Sequence, residues 1–451
     1  LTLSKVLLME DTNDKSNEGL VRTIGPAELG TNVFNLVVGA GIFVLPGIIA
    51  AQLGPAAIVA YIICGIAITL IFLCYAEIGS RITRSGGSYA YIEEAFGPFA
   101  GFVSSMLLWF GWAILSDAAL LIAMIGIITI AVPELADPFW RILFMIVLFT
   151  FLAVTNIRGV KWGVKLYVFN TIAKLVPLAL LVLVGIFSIN YDNLVITQWP
   201  TLENIGASTL ILIFAFSGAE CALNASGEVK NSTKTVPRGL LLGIGSIFVL
   251  YLGLQTVAQG VLGPELANNT EAPLAAAAKE TFGEWGVKML IVGGAISIFS
   301  TLSGDVLATP RVVFASARDG NLPKFLAKVH PKYKTPYVAI IFYAILIVLI
   351  ALSGTFKPLA IMASGSLLLI YAGVSLSVIK LRHRDGPPRE GQFKIPGKVT
   401  IPLLSLTVIG WMLWQLTFDE AIGIIILIGV SVTMYIGRSL WIKYTEGKND
   451  I

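Results

Sequence analysis

The sequence predicts an all-α integral membrane protein whose chain crosses the bilayer twelve times. Three observations carry that expectation. The 451 residues are 56% hydrophobic and 13% charged, with mean hydropathy +0.84, whereas a soluble domain carries about 25% charged residues. Apolar segments of membrane length, roughly 20 residues, recur along the whole chain. Lysine and arginine collect between alternate segments, as the positive-inside rule requires.

Residues 1–24 are polar and read as a cytoplasmic N-terminal tail. Spans are expected at 26–52, 55–80, 98–131, 138–157 and 162–188, then at 205–229, 238–262, 286–317, 336–353 and 357–381. Two more follow at 398–417 and 420–442, with a cytoplasmic C-terminal tail over 443–451. Residues 263–285 are the longest outer loop, and 318–335 are an inner loop bearing Lys324, Lys328, Lys332 and Lys334. With both termini inside, only Arg141, Lys279, Lys288 and Lys357 of the 31 Lys and Arg fall in outer segments, and Lys174 falls within the fifth span. The outer segments instead carry Glu134, Asp137, Asp192, Glu203, Glu265, Glu271, Asp419 and Glu420. A misplaced span would scramble this asymmetry. The expected location is the inner (plasma) membrane of the cell, as a multi-pass protein in the lipid bilayer.

The same composition excludes other classes. A net charge of +4 is dispersed between spans, so no nucleic-acid surface is implied. Cys64, Cys74 and Cys221 all lie in apolar segments and form no disulfide framework. No metal-ligand spacing, P-loop or nucleophile motif appears. Neither an ATPase nor a membrane hydrolase is supported, and no metal or cofactor is implied. His330 and His383 sit in basic inner loops and read as solvated.

The first span contains Asn35-Leu36-Val37-Val38-Gly39-Ala40-Gly41-Ile42-Phe43-Val44-Leu45-Pro46-Gly47. Glycine weakens a helix interior by about 1 kcal/mol relative to alanine. In hydrocarbon, a real break is tolerated only where protein or a cavity receives the freed backbone groups. The sixth span repeats the anomaly in Phe214-Ala215-Phe216-Ser217-Gly218-Ala219-Glu220. These are corresponding positions if residues 25–190 and 200–382 are two five-helix halves, with 398–442 outside the repeat. An odd number of spans per half inverts the second copy. Paired interrupted segments point to a transporter site. Half-helix N-termini offer N–H groups to a carboxylate and half-helix C-termini offer carbonyls to an ammonium. Together they suit a zwitterion, hence an α-amino acid.

Four motifs then resemble the amino acid–polyamine–organocation superfamily of transporters, over about residues 20–440. Gly39-Ala40-Gly41-Ile42-Phe43-Val44-Leu45-Pro46 is similar to its first-helix signature of Gly-Ser-Gly followed by Ile or Val and Phe. Ser85-Gly86-Gly87-Ser88-Tyr89-Ala90-Tyr91 with Phe96-Gly97-Pro98 resembles the loop before its third helix. Gly227-Glu228-Val229-Lys230-Asn231 up to Val236-Pro237 resembles the segment after its sixth helix, and Arg318-Asp319-Gly320-Asn321-Leu322-Pro323 the turn after its eighth. The nearest branches in motif are the amino acid/polyamine antiporters and the sodium-independent LAT-like transporters. The resemblance implies the LeuT-type fold, a 5+5 inverted repeat with discontinuous helices 1 and 6, and alternating access. It implies a substrate held by the backbone around Gly39, Ala40, Gly41, Ile42 and Gly218. The carboxylate would meet the N–H groups of Ala40 and Gly41, and the ammonium the carbonyls of Val37, Phe214 and Ser217. Phe214 and Phe216 would form the gate or wall. Ala40 departs from the usual serine, which removes a hydroxyl contact but leaves the backbone donors.

Ionisable residues at membrane depth are functional candidates. Lys174 lies about twelve residues, or roughly 18 Å, into the fifth span, beyond easy snorkelling. The resemblance implies that its ammonium replaces the sodium ion of other members, bridging helix 1 carbonyls and polar groups of helix 8, and that it can exchange a proton. Glu220 aligns with a proton-responsive glutamate of the arginine/agmatine antiporters, or is a carboxylate hydrogen-bonded within the bundle. Asp305 is read first as the counter-ion of Lys174 and second as a reader of a cationic side chain. Asp117 either recognises a side chain or is structural, and Ser116 falls near the side-chain pocket.

The expected function is a sodium-independent amino acid transporter, either proton symporter or exchanger. The alternatives are an antiporter of cationic amino acids or polyamines using Asp117, Glu220 and Asp305, and a transceptor. Helices 11 and 12 are the candidate homodimer surface.

Overall fold

Pro26 opens the first helix at a position where a missing N–H costs nothing, and the chain is helical almost throughout from there. The computed structural model describes residues 24–82, 86–159, 164–318, 320 and 322–449. The expected N-terminal tail up to residue 23, the motif residues Ser85, Asp319 and Asn321, and residues 450–451 of the C-terminal tail lie outside the described residues. The helices are α1 (Pro26–Val37), α2 (Gly41–Leu53), α3 (Ala57–Arg81), α4 (Gly87–Phe96), α5 (Pro98–Thr129), α6 (Pro138–Ile157), α7 (Val164–Gly185) and α8 (Leu202–Phe216). They continue as α9 (Ser232–Leu262), α10 (Pro273–Phe282), α11 (Glu284–Arg318), α12 (Tyr337–Ser353), α13 (Phe356–Asp385), α14 (Thr400–Leu413) and α15 (Phe418–Asn449).

Among the described residues, nine helical stretches are long and apolar enough to cross a membrane, and α12 and α14 are shorter apolar helices. No strand occurs among them; the one β contact is an isolated bridge between Ile24 and Val229. The chain is a multi-pass membrane protein. Its outer surface carries exposed Ile146, Val147, Leu183, Val249 and Ile425, which is the surface a lipid solvent selects.

The helices depart from the expected spans in three places. Residues 263–285 are not a simple loop: they hold a 3-10 turn, Gly263–Asn268, and α10. Pro273 at the first turn and the run Ala275–Ala278 favour that helix. The connection before α5 contains α4, an unforeseen helix of ten residues. α15 continues to Asn449, past the end of its apolar segment at 442, because hydropathy limits the span but not the backbone hydrogen bonding.

Leu29, Val33 and Val37 turn inward from α1, which packs on α9 and on the 3-10 segment Ala219–Glu228. α11 packs on both α7 and α5, and α13 on α5 and α8. The interrupted segments therefore lie inside the bundle.

A buried ionic knot ties the ends of α3 and α13. Glu77 is fully buried and accepts from Arg382 Nε at 2.6 Å, from Arg382 Nη2 and from the Ile395 N–H at 2.9 Å. Ser80 Oγ accepts from Phe393 N–H at 3.1 Å, and Arg81 Nη2 donates to Gly386 O at 3.1 Å. The connection after α13 is thereby clamped across the end of α3. Removing one partner of a buried ion pair costs about 3–5 kcal/mol, because the other charge is left uncompensated. Glu77→Ala is accordingly expected to lower the melting temperature of the detergent-solubilised protein sharply, and Arg382→Lys, which keeps the charge but loses the two-pronged contact, to lower it less.

Candidate functional site

The first break is short. Val38 N–H still donates to Phe34 O at 3.1 Å, and Gly39 N–H folds back onto Val37 O at 2.8 Å. α2 then starts at Gly41 with Ala40 as its N-cap and no side chain capping it. Phe43 N–H reaches Ala40 O at 2.9 Å, but among the described residues the N–H groups of Ala40, Gly41 and Ile42 have no partner. A helix N-terminus with free donors favours an anion.

The second break is made differently. α8 ends at Phe216, Ser217 is extended, and Gly218 has φ of 114°, a conformation that only glycine adopts without strain. Ser217 Oγ donates to Phe214 O at 2.8 Å. The two breaks touch. A Cβ on Gly218 would lie 2.9 Å from Leu36 O, and a Cβ on Gly41 only 2.7 Å from Ala215 Cα. Tyr251 Oη bridges the pair, donating to Ala215 O at 3.1 Å and Val37 O at 3.3 Å.

A cavity of about 480 Å³ lies at this crossing. Its walls bring together Val37, Gly39, Ala40 and Gly41 of the first break, Phe214, Ser217 and Gly218 of the second, Ser116 of α5, Lys174 of α7 and Asp305 of α11. Trp109 and Trp112 complete the α5 wall. They sit in a π-helical stretch, Leu107–Ile114, a distortion that recurs at functional sites. The cavity continues along Asn32 and Leu36 of α1 and Ala308, Thr309 and Val312 of α11. At its other end α2 is packed against α8 and the Gly263–Asn268 turn.

Four expected residues do not line the cavity: Ile42, Phe216, Asp117 and Glu220. Phe216 faces away and packs edge-on against Tyr61 and Tyr251, because two residues along α8 turn it about 200° from Phe214. Phe214 is in place, against Trp112 and Phe356. Glu220 is buried and turns back on the break: its carboxylate accepts from Gly218 N–H at 3.1 and 3.2 Å and from Tyr371 Oη at 2.8 Å. The carbonyls of Val37 and Phe214, expected to receive an ammonium, already accept from Tyr251 and Ser217 side chains. Leu36 O beside them has no donor among the described residues.

Lys174 is 2% exposed. Its Nζ donates to Asn35 O at 2.6 Å and Val38 O at 2.9 Å, and Ser297 Oγ of α11 reaches the same Val38 O at 3.3 Å. The expected ion pair between Lys174 and Asp305 is not formed. The ammonium points at the carbonyl end of α1, where the helix dipole is negative. Asp305 lies beside Asp117 of α5 instead, and Asp117 accepts from Tyr343 Oη at 2.9 Å. Sequence reasoning missed Tyr251, Tyr343, Tyr371 and Trp109. Their one signal was a polar tip inside an apolar span.

Two facing helix breaks around a central cavity in an apolar bundle are the architecture of a membrane transporter. The chain belongs to the amino acid permease family, which it matches over residues 31–441. It is 29% identical over 427 residues to the serine/threonine exchanger SteT of Bacillus subtilis (strain 168), covering 92% of this chain and 96% of the relative. It is 27% identical over 445 residues to the methylthioribose transporter of the same organism, covering 93% and 94%. It is 28% identical over 439 residues to the Asc-type amino acid transporter 1 of Mus musculus, covering 91% and 80%. The family and its relatives are transporters, not enzymes.

The two first-span glycines differ in what surrounds them. Overpacking costs about 1–3 kcal/mol, so Gly41→Ala, driven into Ala215, is expected to lower the melting temperature and abolish substrate binding. A Cβ on Gly39 meets nothing nearer than 3.6 Å, so Gly39→Ala should melt like the native protein. Thermal-shift measurements on the two variants check this.

Proposed function

We propose that this protein is a sodium-independent secondary transporter of amino acids that works by alternating access, as proton symporter or exchanger. The observation that carries the reading is the Lys174 ammonium bonded to Asn35 O and Val38 O beside the unpaired N–H groups of Ala40, Gly41 and Ile42. A fixed cation holds the carbonyl end of α1, so the break does not need a metal ion there. The free donors at the start of α2 take the substrate carboxylate, and Leu36 O with the end of α8 faces its ammonium. The names of relatives, among them a serine/threonine exchanger and an Asc-type amino acid transporter, support amino acids as the substrate class.

In this reading the twelve crossings fall into two inverted halves, α1 to α7 and α8 to α13, followed by α14 and α15, which offer the homodimer surface. Both termini are cytoplasmic and the location is the plasma membrane. The cavity runs along α1 toward the N-terminal side while α2 is packed closed, which corresponds to an inward-facing conformation. Glu220, closed on Gly218 and Tyr371, holds the second break in shape and reports its state to α13.

A second reading is an antiporter of cationic amino acids or polyamines. It is favoured by Asp305 on the cavity wall. Competition by arginine, lysine, agmatine and putrescine against neutral amino acids separates the two.

Uptake of radiolabelled amino acids into proteoliposomes is expected without sodium, and strict sodium dependence would overturn the role of Lys174. Stimulation of efflux by external amino acid identifies an exchanger; accumulation driven by a pH gradient alone identifies a symporter. Lys174→Ala removes two charge-assisted hydrogen bonds, each worth about 1.5–3 kcal/mol, and should lower uptake by at least about tenfold, which initial-rate measurements check.

A further inference from the structure

A pair of acids lies beside the cavity, one of them buried and the other on its wall. Asp117 of α5 is fully buried. Its Oδ2 accepts from Tyr343 Oη at 2.9 Å, while its Oδ1 has no donor among the described residues. The group that Asp117 meets across the gap is the carboxyl of Asp305 on α11, which lines the cavity. Two ionised carboxylates in contact away from water repel strongly, and one proton between them removes the repulsion and satisfies the orphan oxygen.

Among the described residues, no lysine or arginine is bonded to the pair. Lys174 is turned away onto α1. Facing the pair are Tyr343 of α12, whose hydroxyl is already donated to Asp117, and Cys221 and Glu220 of the segment after the second break. Glu220 is an acid closed on Gly218 and Tyr371, so it adds negative charge near the pair and supplies no donor.

We propose that Asp117 and Asp305 together form a proton-binding site in the cavity wall, holding one shared proton that links α5 to α11. The inference rests on the reading of this protein as an amino acid transporter only for its coupling role. The proton joins two packed helices that both line the substrate cavity, and Asp305 is open to that cavity. Substrate binding therefore changes the surroundings of the proton, and loss of the proton forces α5 and α11 apart. The shared proton is held at low pH and lost as pH rises, so transport should fall on the alkaline side.

Asparagine at either position is nearly isosteric with aspartate, and its amide can donate to the remaining carboxylate. The pair then closes without a proton. Infrared difference spectroscopy of the full-length protein, in water and heavy water, reads the carbonyl stretch of a protonated carboxyl directly. One such band should be present in the native protein, absent in both Asp117→Asn and Asp305→Asn, and shifted on addition of the transported amino acid. Equal band intensity in the native protein and both variants would overturn the proposal. In proteoliposomes, native uptake should fall by about tenfold per pH unit on its alkaline limb, as for loss of a single proton, and by less than about twofold in Asp117→Asn. An unchanged pH profile in that variant would also overturn it. If the native protein moves no amino acid, the transporter reading fails, and the infrared band still decides whether the proton is there.

Discussion

Everything at the centre of this protein follows from one constraint: a backbone group freed inside a membrane must find a partner within the protein. The chain interrupts two helices at bilayer depth, and each interruption releases carbonyls at one end and N–H groups at the other. Side chains meet most of them. From distant helices Lys174 takes the carbonyls of Asn35 and Val38, and Tyr251 those of Val37 and Ala215; from nearby in the chain Ser217 takes the carbonyl of Phe214, and Glu220 receives the Gly218 N–H. The donors at the start of α2 are the ones left open, and they open into the cavity.

This division gives the site its polarity. Donors stay free where a carboxylate can use them, and most acceptors are closed by fixed groups. A buried lysine is costly in hydrocarbon, about 2.5–3.5 kcal/mol on insertion scales. Here two strong hydrogen bonds offset that cost. The acids are organised separately. Asp305 faces Asp117 of α5, itself bonded to Tyr343 of α12, rather than Lys174, so the positive and negative centres act on different helices.

Much of this was legible in the residues. Gly39, Gly41 and Ser217-Gly218 stood out against apolar spans because glycine is expensive within a helix, and Lys174 stood out because it lies too deep to snorkel. All five residues line the cavity. Which of Phe214 and Phe216 meets the cavity was not legible. Two residues apart on a helix they point about 200° apart, so only one can face it, and the packing of α8 gives that place to Phe214. The tyrosines that close the breaks were hidden for a related reason, since aromatic residues are ordinary in membrane spans and their hydroxyl partners come from far along the chain.

By itself the sequence determined the membrane class, the apolar character of the helices, and the two points where helices break, because hydropathy and glycine content act locally. Only the tertiary structure decided which charges meet. Lys174, Asp117, Glu220 and Asp305 were all visible as buried ionisable residues, but pairing depends on how α5, α7 and α11 are rotated about their axes. That rotation turns Lys174 toward the carbonyls of α1 and Asp305 toward Asp117, and no spacing along one helix encodes it.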